Sequence, residues 1–163
     1  MSRQDERSGF QVKATNRKGL RDYEVEEKVE AGLVLTGSEI KSIRAGRVSL
    51  VDSYAAIEGG EAFVHGMSIS PYVQASHFGH DERRARKLLL HKDQIKRLTG
   101  KIAERGYTLV PLKLYLKDGK AKLELGLGKG RRKYDKRREM AERDANREIA
   151  RAERTKARKT AGL

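Results

Sequence analysis

His77 and His80 are the first candidates for chemistry, because they stand three residues apart and Asp81 follows His80. Imidazole and carboxylate groups are common metal ligands, and a nucleic-acid-modifying or hydrolysing enzyme would need such a site. No second cluster of Asp, Glu or His supports them, and the chain contains no cysteine. Solvent-exposed loop histidines are the favoured interpretation, so we expect no metal and no cofactor.

The segment GLGKG, Gly126–Gly130, resembles a phosphate-binding loop only superficially. A Walker loop needs Ser or Thr after its lysine, and Lys129 is followed by Gly130. We interpret the segment as a strand from which the chain leaves the folded domain. No serine is identified as a nucleophile with an adjacent base, and we therefore expect no enzymatic activity.

Glu30 and Leu89 are candidates for contacts with nucleic acid. A carboxylate at Glu30 could accept hydrogen bonds from exocyclic amines or ribose hydroxyls, but its spacing alone favours an ordinary exposed strand carboxylate. Leu89 is the middle of three successive leucines, which we expect to open a helix. They cannot all point inward, so Leu89 is either a core residue or an exposed contact for a base.

The charge of the chain favours nucleic acid as its partner. A net charge of +14 and a pI near 10.1 attract phosphate, with an anionic membrane surface as the second choice. No apolar run is long enough to span a membrane and the first residues lack the apolar stretch of a signal peptide, so we expect a cytoplasmic protein. Basic residues are grouped beside the ends of predicted elements, and the set is Arg17, Lys18, Arg21, Lys41, Arg44, Arg47, Arg83, Arg84, Arg86 and Lys87.

More than half of the net charge lies in the segment from Gly128 to Leu163. Its few large apolar side chains cannot offset the entropy of ordering it, so we expect disorder in isolation. On a helix, Arg143, Arg147, Arg151, Arg154 and Arg158 would form one stripe. Like charges at this spacing oppose a free helix, and the segment should become helical only along a polyanion.

The remaining chain predicts a mainly β fold with short helices. We divide it into a flexible N-terminal segment (1–14), an OB-fold-like closed barrel of about six strands (15–130) and a basic tail (131–163). Asn16 should cap a short helix, and Thr36 and Glu39 have the spacing of a capping box. Gly59-Gly60 and Asp118-Gly119 predict hairpin turns, and a bend is expected at Ala31-Gly32.

Four segments resemble the small protein B family, the SsrA-binding proteins: Glu30–Tyr54, Gly60–Tyr72, Arg86–His91 and Gly128–Arg137. The resemblance runs in unbroken order from about Asn16 to Arg154. It implies an OB-fold protein that binds the tRNA-like domain of transfer-messenger RNA (tmRNA) and delivers it to stalled bacterial ribosomes in trans-translation. A general basic RNA-binding or ribosome-assembly module is the alternative. A complex with elongation factor Tu and one protein per RNA are further expectations.

The resemblance also implies roles for individual residues. Asn16, Arg17, Lys18, Glu30 and Leu89 correspond to tmRNA-contacting positions, to which charge adds Arg21, Lys41, Arg44 and Lys87. The segment corresponding to the probe of the decoding centre on small-subunit ribosomal RNA is Tyr134, Asp135, Lys136 and Arg137, with Lys129, Arg131, Arg132 and Lys133 beside it. Residues from Arg138 onward correspond to a helix in the empty message channel. Some family members have histidine where Tyr134 stands, and tyrosine keeps a stacking ring but no positive charge.

Overall fold

The computed structural model describes residues 9–71, 81–104, 106–131 and 133–161, and the chain divides into two compact units, Met1–Gly130 and Arg131–Leu163. The strands of the first unit are β1 (Phe10–Thr15), β2 (Tyr23–Leu33), β3 (Val48–Ser49), β4 (Tyr54–Glu58), β5 (Glu61–His65), β6 (Ser68–Ile69), β7 (Arg86–Leu89), β8 (Tyr107–Lys117) and β9 (Lys120–Gly130). Its helices are α1 (Arg17–Asp22), α2 (Gly37–Arg44) and α3 (Lys92–Ala103), and the second unit contains α4 (Lys133–Ala161).

Six of the described strands close into a ring in the order β8, β4, β5, β7, β2 and β9, with β9 pairing back to β8. Neighbouring strands of the ring are antiparallel, and β1 pairs with the second half of β8. Alternate residues such as Leu123, Leu125 and Leu127 of β9 point into a shared apolar core. The mainly β, closed fold of about six strands is therefore confirmed.

The two hairpin predictions are also confirmed. Gly59 and Gly60 join β4 to β5 with φ of 58° and 77°, and Asp118 and Gly119 join β8 to β9 with φ of 52° and 80°. Positive φ at both central residues is the geometry whose twist matches that of the flanking strands.

The structure differs from the sequence-based expectation in the N-terminal region and in β2. The segment Phe10–Thr15 is not flexible as expected, because it pairs with β8. The centroids of the Phe10 and Tyr115 rings lie 4.6 Å apart. Residues 1–8 lie outside the described residues. The bulge in β2 falls between Val25 and Glu27, whereas Ala31 and Gly32 continue the regular pairing with β9.

Gly128 allows β2 and β9 to approach closely. A Cβ atom there would lie 2.1 Å from the carbonyl oxygen of Glu24, a distance that no side chain tolerates. The GLGKG segment is thus a paired strand, as predicted, but Gly128 serves backbone packing and not a flexible exit. A larger residue at Gly128 would force β2 away from β9.

Arg86 lies at the centre of a buried polar network. Its side chain is fully buried, and each of its five N–H groups has an acceptor. Nε donates to Oε2 of Glu39, and the other donors reach the carbonyl oxygens of Met67, Arg84, Asp81 and Glu82. The expectation that Arg86 belongs to the basic surface is therefore wrong, because strand alternation places Arg86 on the same inward face as Leu88.

Glu39 joins this network to the start of α2. The predicted capping box is present, since Thr36 Oγ1 accepts from the Glu39 amide and Glu39 Oε1 accepts from the Thr36 amide at 3.0 Å. Arg84 and Arg86 donate to the same carboxylate. Burial raises the pKa of Glu39, but hydrogen bonds from Arg84, the Thr36 amide and Arg86 outweigh it and lower the pKa from 4.5 to about 2.

The second unit is one continuous helix, α4. Arg143, Arg147, Arg151, Arg154 and Arg158 lie on it as exposed side chains, at the spacing that forms one stripe. The helical state of the tail is thus observed. Its dependence on a polyanion stays a prediction.

The Glu39→Gln variant tests the buried network. Losing the carboxylate leaves the Arg86 guanidinium buried without a counter-charge, and we expect a loss of about 3–5 kcal/mol in the free energy of unfolding at pH 7, measured with urea. The folded-state pKa of Glu39 is lowered, so its stabilisation is full above pH 4.5 and is lost as pH falls towards 2. The difference between wild type and variant should shrink over that interval.

The matched control is Glu61→Gln, which breaks the exposed pair between Lys87 and Glu61. Such surface pairs contribute about 0–1 kcal/mol. A Glu39→Gln variant no less stable than Glu61→Gln would contradict the structural role of the network.

Candidate RNA interface

Glu30 and Leu89, which are distant in sequence, line one depression of about 410 Å³ where β2, β7 and β9 meet the start of α3. We call it the Glu30 concavity. Its lining residues are Glu30, Gly32, Leu89, Leu90, His91, Gln94 and Lys122. The depression combines a carboxylate, an apolar side chain and an ammonium group, which together can recognise the polar edge, the face and the phosphate of a nucleotide.

Leu89 is exposed because it lies on a strand. It ends β7 instead of opening a helix, and α3 begins three residues later at Lys92. Alternation buries Leu88 and leaves 53% of Leu89 open to solvent. Opposite it, Gly32 leaves room for the leucine, since a Cβ there would lie 3.2 Å from the Leu89 Cβ. Of the two alternatives for Leu89, the exposed one is therefore observed, on a strand instead of the predicted helix start, and its contact with a base stays a prediction.

The Glu30 carboxylate is held in place but remains open. Its Oε2 accepts a hydrogen bond from the Tyr115 hydroxyl, its Oε1 lies 3.8 Å from Lys117 Nζ, and 40% of the side chain is exposed. Burial and the bond to Glu30 raise the pKa of Tyr115 well above its usual range, so the hydroxyl stays a donor. Tyr115 thereby orients a carboxylate whose free lone pairs can accept from a ligand.

Glu124 faces Glu30 across the β2–β9 pair. Like charges directly opposite each other destabilise a sheet, and Oε2 of Glu124 is buried without a hydrogen-bond partner among the described residues. Such violations of sheet chemistry are expected where a surface is shaped for a ligand.

Lys122 is a candidate that the sequence analysis missed. It lies opposite Gly32 in the β2–β9 register and lines the Glu30 concavity. Strand alternation in KAKLELG would have revealed it, because Leu123 and Leu125 point into the core and Lys122 and Glu124 must then point outward.

Asn16 is a helix cap whose two polar side-chain atoms both make hydrogen bonds. As predicted, its Oδ1 accepts from the Gly19 amide at 3.0 Å, and its Nδ2 also donates to the Pro111 carbonyl at 2.8 Å. Only 6% of the residue is exposed. The structure therefore favours a positioning role for Asn16, through which the exposed residues Arg17, Lys18 and Arg21 of α1 are held against β8.

The other predicted basic contacts are distributed over the first unit. Lys41 and Arg44 are exposed on α2, where the Arg44 carbonyl accepts from Lys13 Nζ at 3.0 Å. Lys87 is exposed on β7 and pairs with Glu61 at 3.0 Å. The structure does not bring these three residues into the Glu30 concavity, and their part in RNA binding stays a prediction.

The residues predicted to reach the ribosome begin at the end of β9. Lys129 Nζ lies 4.6 Å from the centre of the Tyr107 ring, whose hydroxyl donates to Glu26 at 2.8 Å. Arg131 is half-buried and Arg132 lies outside the described residues. Helix α4 begins with Lys133, Tyr134, Asp135, Lys136 and Arg137, and the structure describes only the backbone of these residues. Arg143, Arg147, Arg151 and Arg154 are exposed farther along α4.

Metal and membrane alternatives receive no support from the described residues. Across residues 9–71, 81–104, 106–131 and 133–161, no group of three or more His, Asp or Glu side chains is arranged to hold a metal ion. His77 and His80 lie outside those ranges, and Asp81 accepts a hydrogen bond from the Arg83 amide at 3.0 Å. The helices in this part of the chain include none with the length and apolarity that a membrane span requires.

Comparison with known proteins gives consistent matches. A protein-family model described as SmpB protein matches residues 13–155. The SsrA-binding protein of Geobacillus kaustophilus (strain HTA426) is 60% identical over 141 residues, which cover 86% of this chain and 91% of that protein. The SsrA-binding protein of Anoxybacillus flavithermus (strain DSM 21510 / WK1) is 59% identical over 139 residues, covering 85% and 90%.

A solved structure is also similar. It is described as "tmRNA-SmpB: a journey to the center of the bacterial ribosome", and it matches with a TM-score of 0.62 at 47% identity. The match covers 73% of this chain and 84% of that chain.

The cap at Asn16 yields a stability prediction. Asn16→Ala removes both side-chain hydrogen bonds, and we expect the free energy of unfolding in urea to fall by about 2 kcal/mol. Arg17→Ala, one residue later and exposed, should change it by less than about 0.5 kcal/mol. If both variants were as stable as the wild type, the amide would not be the cap, and Asn16 would again be a candidate for direct contact.

Proposed function

The chain belongs to the SmpB protein family, the family of the SsrA-binding proteins, and we propose that it binds tmRNA through the Glu30 concavity and acts with it on stalled ribosomes in trans-translation. The observation that carries the residue assignment is the meeting of Glu30, Leu89 and Lys122 in one depression of a chain with net charge +14. We take the activity to be binding without turnover and the location to be the cytoplasm.

The chemistry of the concavity suits a folded RNA. Leu89 offers an apolar surface to the face of an unstacked base, and the oriented Glu30 carboxylate accepts from an exocyclic amine or a 2′-hydroxyl. Lys122 supplies a cation for a phosphate. A carboxylate repels phosphate, so Glu30 disfavours most placements of an RNA on this surface. It therefore favours one specific placement of the RNA over non-specific electrostatic binding.

The second unit has the properties of a separate polyanion-binding element. The arginine stripe of α4 runs from Arg143 to Arg158, about 22 Å at 1.5 Å per residue. We assign it to ribosomal RNA around the message channel, with Tyr134–Arg137 nearest the decoding centre. A message in that channel would occupy the same volume, so the helix should form there only when the channel is empty. Elongation factor Tu is a further member of the proposed complex. One copy of the protein binds each RNA.

Replacing the three concavity residues tests the RNA site. Glu30→Ala, Leu89→Ala and Lys122→Ala should each weaken binding of the tRNA-like domain of tmRNA by about tenfold, measured by fluorescence anisotropy with excess bulk transfer RNA as competitor. Lys122→Ala should also reduce the salt dependence of the binding constant by about one phosphate contact.

Val34→Ala is the matched control, because Val34 is exposed directly after β2 but does not line the concavity. It should change the affinity by less than about twofold. A Glu30→Ala variant with normal affinity, or one whose melting temperature falls sharply, would return Glu30 to a structural role. Loss of the wild-type complex to bulk transfer RNA would favour a general RNA-binding module.

Truncation after Gly130 tests the division between the two units. The first unit ends at Gly130, so the truncated protein should fold and retain tmRNA binding within about threefold. Peptide tagging on stalled ribosomes should be abolished in a reconstituted translation assay. Equal loss of binding and tagging would contradict the assignment of separate tasks.

A further inference from the structure

A second depression, which we call the α1 cleft, lies between α1, the turn before β4 and the first residues of β8. Its volume is about 320 Å³, within the range of small-molecule and nucleotide pockets. Its lining includes Lys18, Asp22, Tyr23, Asp52, Tyr54 and Thr108. None of them lines the Glu30 concavity, so this is a separate site on the ring.

Tyr54 gives the cleft an aromatic surface that the core does not use. It begins β4 and remains 56% exposed, whereas its neighbour Ala55 points inward. The Tyr54 ring stacks on the His65 ring with centroids 5.0 Å apart and planes 20° apart. His65 is fixed in turn, because its Nε2 lies 2.8 Å from Glu58 Oε1. One face of a tyrosine is thus supported from behind while over half of the residue stays open.

The turn before Tyr54 is built to hold this arrangement. Asp52 has a φ of 59°, and the Ser53 hydroxyl donates to the Leu50 carbonyl at 2.6 Å. Because Gly66 has no side chain, the turn at Asp52 can pack directly against its backbone. A Cβ atom at Gly66 would lie 2.9 Å from the Asp52 carbonyl oxygen. A fixed turn reduces the conformational entropy that a ligand must remove on binding.

Lys18 places a positive charge at the mouth of the same cleft. Its Nζ lies 3.4 Å from Asp52 Oδ1, and both side chains are more than half exposed. Such a pair contributes little stability, so the ammonium group can turn to a phosphate at small cost. Asp52, once released, presents two acceptor oxygens to base amines or ribose hydroxyls.

We propose that the α1 cleft binds one unpaired nucleotide of an RNA, with its base stacked on Tyr54 and its phosphate on Lys18. RNA as the ligand rests on the proposed function. The combination of an open aromatic ring, a lysine and a lining that mixes polar and apolar groups fits a nucleotide better than an apolar peptide side chain. Because every base has a π face, the cleft binds any of the bases. Its affinity is higher for an unpaired nucleotide than for a paired one.

The test uses the full chain and a single-stranded oligouridine of about six nucleotides with one central 5-iodouridine. Ultraviolet cross-linking followed by peptide mass spectrometry should place the cross-link on Tyr54. Tyr54→Ala should weaken binding by roughly 5- to 100-fold, and Tyr54→Phe, which keeps the ring, by less than about twofold. Val51→Ala is the matched control, because Val51 is exposed in the same turn and does not line the cleft.

Salt separates stacking from general attraction to the basic chain. The loss caused by Tyr54→Ala should persist as the salt concentration rises, whereas the loss caused by Lys18→Ala should shrink. Equal affinities of wild type and Tyr54→Ala, or a cross-link elsewhere in the chain, would overturn the α1 cleft as a nucleotide site. If Tyr54→Ala weakened the binding of a protein but left the binding of the oligonucleotide unchanged, the proposal of a nucleotide site would be overturned as well.

The two proposals fail separately. Wild-type protein that does not bind tmRNA would contradict the proposed function, while the cleft is judged on the oligonucleotide alone. Normal tmRNA binding through Glu30, together with no dependence of oligonucleotide binding on Tyr54, would remove only the cleft.

Discussion

The buried guanidinium of Arg86 is the constraint on which the arrangement of the first unit depends. A fully buried cation is tolerable only when all its donors are bonded, and here they tie β7 to Glu39 of α2 and to carbonyls of residues 67, 81, 82 and 84. With Arg86 fixed inward, strand alternation fixes Lys87 and Leu89 outward. The interior network therefore determines which side chains β7 presents to solvent.

The outer surface of the ring carries features that the core does not require. Glu30 faces Glu124 across two strands, Leu89 is exposed, and Tyr54 stacks on His65 outside the core. The Glu30–Glu124 pair opposes the charge rule of cross-strand pairing, and the three features add an acceptor, an apolar surface and an aromatic face to the outside of the ring. The Tyr115 hydroxyl and the His65 ring hold two of them in place. A preorganised surface of this kind loses little entropy on binding a folded RNA.

Local patterns in the sequence predicted much of this structure. The capping box, the hairpin turns and the closed β fold follow from residue types at short spacing, as at Thr36–Glu39 and Asp118-Gly119. The partners of Glu30, the burial of Arg86 and the meeting of Leu89 with Lys122 were not predictable in the same way, because they depend on pairing between strands far apart in the chain. Leu89 was assigned to the wrong element because a short apolar run has no distinguishing period.

In the proposed function, the ring binds tmRNA and the basic helix binds the ribosome. Hydrogen exchange of the full chain, measured alone, with the tRNA-like domain, and on a ribosome with an empty message channel, tests this most directly. We predict that the RNA alone protects β2, β7 and β9 around Glu30 and leaves the amides of α4 exchanging rapidly, with protection of α4 appearing only on the ribosome. Protection of α4 in the free protein, or by the RNA alone, would contradict the account.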